Sequence, residues 1–155
     1  MDHQLLEGNL GQGMELGHMS INHHGRKCGC GRIGCLEAYA SATALASDAG
    51  KALKKKVDAK EVFRLAKNNN KIAKKVINDY VTYLGDGLLN YCVIFKPEVI
   101  LLSGGVAKAG NALLNPLNTY LKKHHYGIKM TSPVKVDIAS LKYDSGIIGA
   151  ASLIL

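Results

Sequence analysis

His18, Cys28, Cys30 and Cys35 stand in the order His-x9-Cys-x-Cys-x4-Cys within GMELGHMSINHHGRKCGCGRIGCLEAYAS. Thiolates and imidazoles are donors that zinc prefers, and three thiols with one histidine complete a tetrahedral ligand set. Gly25, Gly29, Gly31 and Gly34 punctuate the run, so the backbone can turn tightly around a small ion. Four protein donors leave no position open for a catalytic water, and the spacing therefore points to a structural zinc. A disulfide is the competing reading. Cys28 and Cys30 are too close in sequence to bridge easily, and three cysteines leave one over. An iron–sulfur cluster usually takes four thiolates. The first residues, MDHQLLEGN, show neither the basic start nor the apolar stretch of a secretion signal. The expectation is a cytoplasmic protein, in which reduced thiols favour a metal. Glu15 and Glu37 bracket the cluster, so a metal-held scaffold that presents polar groups to a ligand is expected.

The elements that must position these residues can be read from periodicity. Residues 1–35 are rich in glycine and loop-like, with a short strand expected over 15–21. The Ala- and Leu-rich run 36–53 favours helix. Asp58 is placed to cap the next helix, with Glu61 at the capping-box position, and Asn68, Asn69 and Asn70 end it. The longest periodic segment, 71–95, repeats apolar residues at three- and four-residue steps: Ile72, Val76, Ile77, Tyr80, Val81, Leu84, Leu88, Leu89 and Cys92. Cys92 belongs to that stripe and reads as a buried core thiol. Lys96-Pro97 stops the helix. A buried strand is expected over 98–103, then Gly104-Gly105, a helix over 111–124, a second strand over 134–139, and a final helix GIIGAASLIL that Asp144-Ser145 can cap. Strand–helix–strand–helix after a helical region predicts an α/β domain whose sheet is covered by helices. The carboxyl end of the first strand is where such sheets bind ligands, and Gly104-Gly105 lie there; a plain tight turn is the alternative.

With 155 residues, 47% of them hydrophobic, the chain has material for one domain with a core of its own, and no apolar run approaches the length of a membrane span. The net charge is +8. Its lysines interleave with apolar positions at helical spacing and read mainly as solvated helix faces, with attraction to phosphate or nucleic acid as the alternative. The sequence has no helix-turn-helix pattern and no aromatic cluster for stacking bases.

ELGHM, CGCGRIGCLEAYAS, PEVILLSGGVAKAG and DSGIIGAASL together resemble the ROK family of sugar kinases and sugar-responsive repressors, over nearly the whole chain and nearest to its bacterial glucokinase-like members. The resemblance implies a two-lobed, ribonuclease-H-like (actin-like ATPase) fold. It implies transfer of the γ-phosphate of ATP, with Mg²⁺, to a hydroxyl of a hexose or amino-hexose, or, in repressor members, sugar binding as effector. It makes His18, Cys28, Cys30 and Cys35 the zinc ligands. Glu15, His18 and Glu37 become the sugar contacts, Gly104 and Gly105 part of the adenosine pocket, and a homodimer the expected assembly. The family's Asp/Gly-rich phosphate loop, its Asn-Asp pair with the general base, and its Gly-Thr-Gly loop find no match here. Residues 1–155 are therefore expected to be a single domain, the C-terminal lobe, carrying no catalytic residue and inactive alone. DNA would be a partner only through a DNA-binding domain preceding this sequence. Met14 stands where the family usually has glycine, so the loop before Glu15 is expected to differ.

Overall fold

The computed structural model describes residues 5–125, 133–141 and 144–152. Eight elements follow one another: α1 Glu37–Ala40, α2 Ala42–Leu53, α3 Ala59–Lys67, α4 Lys71–Phe95, β1 Val99–Leu102, α5 Asn111–His124, β2 Lys135–Ile138 and α6 Ser145–Ser152. Short 3-10 turns occupy Leu16–His18 and Val106–Ala109. β1 and β2 pair in parallel, with Val99 opposite Lys135 and Leu102 opposite Ile138. A parallel pair needs a long crossover, and here α5 supplies it.

The helix starts follow from side chains that accept the backbone N–H groups a first turn leaves unpaired. Ser41 accepts from Ala44 N at 3.1 Å, Asp58 from Glu61 N at 2.7 Å and Asn70 from Ala73 N at 3.0 Å. Two expectations change in consequence. The run 36–53 is not one helix: Ser41 takes an extended conformation (φ −91°, ψ 164°) and caps α2, so α1 ends one residue earlier. The capping box is only half made, because the Glu61 carboxylate turns to the Arg64 guanidinium at 2.6 and 2.8 Å instead of reaching back. The strand expected over 15–21 is also replaced, by the 3-10 turn Leu16–His18 and an isolated antiparallel bridge from Ser20 to Cys35.

α4 is the spine. Of the expected stripe, Val76, Ile77, Tyr80, Val81, Leu88 and Cys92 are buried and Leu84 and Leu89 partly so, whereas Ile72 at its start is exposed; Ala73, outside the stripe, is buried as well. Side chains at Gly85 and Gly87 would run into Tyr120 of α5 and Leu36, so these two glycines set the closeness of those contacts. α5 answers with Leu113, Leu117 and Leu121, at most 1% exposed and four residues apart on one face. β1 sends Ile100 and Leu102 toward this core and leaves Val99 and Leu101 outward, 42% and 57% exposed. Of the expected final helix, 153–155 and the Ser145 side chain lie outside the described residues. Among the described residues no helix is long and apolar enough to cross a membrane.

The half-made capping box separates two substitutions. Asp58→Ala is expected to cost about 1 kcal/mol in urea unfolding. Glu61→Ala, which removes surface ion pairs with Arg64 and, more loosely, Lys55, should cost under about 0.5 kcal/mol. Equal losses would show that Glu61 caps after all.

Candidate metal centre and ligand cleft

The loop between His18 and α1 is built from a few backbone contacts. Cys28 N donates to Arg32 O at 2.8 Å, Gly34 N to Arg26 O at 2.8 Å and Ile21 N to Gly34 O at 2.9 Å. Gly34 is the pivot. Its φ of 80° lies in the left-handed region, and a side chain there would collide with the Asn22 carbonyl. Met14 (φ 62°) also adopts the left-handed conformation that glycine takes freely, directly before Glu15.

These turns bring the four donors together: one ligand atom from each of His18, Cys28, Cys30 and Cys35 lies within 4.8 Å of all the others. His18 Nδ1 is 3.7 Å from Cys28 Sγ, and Cys30 Sγ is 3.7 Å from Cys35 Sγ. The edge of a tetrahedron is about 1.6 times its centre-to-corner distance, so metal–sulfur bonds of about 2.3 Å require sulfurs about 3.8 Å apart. The arrangement fits a metal ion, and the thiols are free. The Arg32 backbone N–H holds the Cys30 thiol below its ordinary range, while burial pushes Cys35 up to about 11. A metal taking this site displaces a proton from Cys35 as it binds.

Glu37, the first residue of α1, places Oε2 3.5 Å from His18 Nδ1 and 3.7 Å from Cys28 Sγ. A metal on Nδ1 would end the first of these contacts, leaving a half-exposed carboxylate beside the cluster and the imidazole Nε2 on the ring's far side. Glu15, exposed, opens the same turn as His18, whose N–H donates to the Glu15 carbonyl at 3.0 Å. The structure thus brings His18 and Glu37 into contact and sets Glu15 at the start of their turn. Gly104 and Gly105 follow β1, and Gly105 lines a separate cleft of about 950 Å³ between α3, α4, α5 and the turn at 106–109.

Two anchors of the loop were not legible in sequence. Tyr91 of α4 donates to the Leu16 carbonyl at 2.9 Å and pins the His18 turn from 75 residues away; its position reads simply as part of an apolar helix face. Arg26 donates to Ala38 O at 3.1 Å and Asp48 Oδ2 at 2.9 Å, and its guanidinium lies 4.5 Å from the centre of the Tyr39 ring. The Tyr39 hydroxyl accepts from Arg26 N at 2.6 Å. No spacing rule links residues 26, 39 and 48, which meet only because α1 and α2 fold back on the loop.

A parallel α/β sheet, a helical core and a cysteine–histidine loop at one helix start define a lobe of the actin-like ATPase type found in sugar kinases. The ROK family matches residues 1–155, and the chain belongs to it. A glucokinase of Thermotoga maritima is 34% identical over 97% of this chain and 51% of its own length. A xylose repressor of Caldicellulosiruptor bescii is 26% identical over all of this chain and 42% of its own. The ROK glucokinase of Streptomyces griseus, solved with glucose and AMPPNP, superposes with a TM-score of 0.90 at 26% identity, over 97% of this chain and 54% of that one. The chain spans about half the length of these relatives.

The loop geometry yields a test that leaves every donor in place. In metal-free protein, Cys35 is 0% exposed and should resist a thiol reagent that labels Cys30. Gly34→Ala should open the loop and make Cys35 react at a rate approaching that of Cys30. Unchanged protection of Cys35 would show that Gly34 is not the pivot.

Proposed function

We propose that this chain is the sugar- and nucleotide-facing half of a cytoplasmic ROK sugar kinase of the glucokinase-like kind. In this reading His18, Cys28, Cys30 and Cys35 hold a structural zinc. The observation that carries it is the placement of the Glu37 carboxylate beside His18, a member of the metal donor set. Zinc on Nδ1 would fix the imidazole and leave the proton on Nε2, which then donates to a sugar oxygen. Glu15 and Glu37, as carboxylates, accept from sugar hydroxyls. One fixed donor with the Glu37 carboxylate beside it and Glu15 at the start of the same turn suits a polyol and would hold one edge of a hexose. Gly104 and Gly105 would let the adenosine of ATP approach the backbone after β1; the Streptomyces griseus relative was solved with the nucleotide AMPPNP.

Phosphoryl transfer also needs cradled phosphates, Mg²⁺ and a base at the attacking hydroxyl. The sequence has no segment matching the family's loops for these tasks, so the chain alone is proposed to bind and not to transfer. Self-association belongs to the same proposal, supported by outward apolar residues such as Val99, Leu101 and Ile147. The match to a xylose repressor over the whole chain supports a second reading, the effector-binding half of a repressor.

A titration followed by NMR tests this. Three hydrogen bonds at about 0.5–1.5 kcal/mol each would give, at best, a dissociation constant of the order of millimolar. Glucose, N-acetylglucosamine or N-acetylmannosamine should shift resonances of residues 15–37, and Glu15→Gln with Glu37→Gln should abolish the effect. A response to xylose alone would favour the repressor reading. No shift at tens of millimolar for any sugar would remove the sugar site.

A further inference from the structure

The cleft that Gly105 lines has walls of two kinds. Its floor is apolar, with Phe63, Ile77, Val106 and Pro116, and its rim carries Lys60, Arg64, Lys67, Lys74 and Lys108 with no carboxylate among the lining residues. The rim follows from helical period. Lys60, Phe63, Arg64 and Lys67 fall three and four residues apart on one face of α3, and α4 contributes Lys74, Ile77 and Asn78 from across the cleft. Arg64 is neutralised by Glu61. Lys74 donates to the uncharged Asn69 amide at 2.7 Å, which leaves its charge uncompensated. Lys60 and Lys67 enter no ion pair among the described residues.

The rim also sits in a concentration of charge. Residues 51–75 hold ten lysines and arginines against Asp58 and Glu61 only, a balance of +8. That is the net charge of the whole chain, since the other residues carry ten of each sign. Isolated surface lysines are ordinarily scattered among carboxylates; here the entire excess lies between the end of α2 and the first turns of α4. A low-dielectric cleft lined by one sign of charge focuses its field and concentrates ions of the opposite sign.

We propose that the Lys60, Lys67 and Lys74 rim makes this cleft selective for polyanionic nucleotides, attracting a nucleoside di- or triphosphate in preference to the nucleoside whose base would rest on the apolar floor. The inference rests on the proposed nucleotide role of Gly104 and Gly105, of which Gly105 lines this cleft, and adds to it the means of selection. Attraction of this kind works over a distance and is screened by salt, because the Debye length falls from about 30 Å at 0.01 M to about 10 Å at 0.1 M. A neutral ligand on the same floor feels none of it.

The experiment measures binding of Mg²⁺-free ADP and of adenosine to the 155-residue chain across an ionic-strength series. The proteins are wild type, Lys67→Gln with Lys74→Gln, and Lys122→Gln with Lys123→Gln. The last pair removes the same charge from the end of α5, outside the cleft, and circular dichroism confirms that each variant is folded. For wild type, ADP affinity is expected to fall about tenfold from 0.02 to 0.3 M salt, with adenosine changing less than about twofold. The cleft variant should lose most of the ADP advantage at low salt, while the α5 variant keeps it. Equal affinities for ADP and adenosine at low salt, or an ADP advantage that survives in the cleft variant, would overturn the selection and leave the nucleotide cleft standing. Loss in both variants alike would overturn it in favour of net charge acting from anywhere on the chain. If neither ligand binds at any salt, the nucleotide reading itself fails and the selection with it.

Discussion

Convergence of four donor atoms on one point is the constraint around which the rest of this structure is arranged. One donor comes from a 3-10 turn and three from a glycine-rich loop, and neither segment has a hydrophobic core of its own. A loop of this kind loses its conformational entropy only if something outside it fixes its ends. Two contacts do so: Tyr91 ties the turn to α4, and Arg26 ties the middle of the loop to α1 and α2. Within the loop, the bridge from Ser20 to Cys35 closes its two ends on each other. The donors are therefore assembled by protein contacts, and the proposed zinc would complete an arrangement already close to its geometry.

α4 links this centre to the second cleft. Lys74 and Ile77 line the cleft near one end of the helix, and Tyr91 holds the His18 turn near the other. Seventeen residues of helix separate Lys74 from Tyr91, about 26 Å at 1.5 Å per residue. Buried side chains along that length, from Ala73 to Cys92, make α4 a stiff member. The two proposed ligand regions are therefore held at a fixed spacing by one element, as binding two substrates in register would require.

What the sequence revealed follows from the range of the interactions involved. The stripe of α4, the cap Asp58, the βαβ order and the ligand spacing depend on residues a few positions apart, and all were legible; Asn70 was read only as the end of α3, and its capping of α4 came from the structure. The break at Ser41 was not, because helix propensity in an alanine-rich run hides a serine that can either continue a helix or cap a new one. Glu61 was assigned to the capping box by spacing, but Arg64 one turn on is a charged partner and outcompetes a backbone N–H. At the candidate site, His18 and the cysteines were legible because metal donors are few in kind and closely spaced. Tyr91, Arg26 and Asp48 were not, because each acts through the fold: Tyr91 through one hydroxyl on an apolar face, Arg26 and Asp48 through a pairing 22 residues apart. The +8 balance was visible as a total, but that Lys60, Lys67 and Lys74 of the basic segment share the rim of one cleft needed α3 and α4 side by side.

The proposed centre is most directly tested by zinc-edge X-ray absorption on the purified, metal-loaded chain. A closed site of three thiolates and one imidazole predicts three sulfurs at about 2.3 Å, one nitrogen at about 2.0–2.1 Å and no oxygen. Glu37 Oε2, 3.5 Å from His18 Nδ1, is a rival donor. An oxygen in place of the nitrogen, or fewer than three sulfurs, would contradict the account, because His18 would then not be held by the metal and Glu37 would not be left to face a ligand.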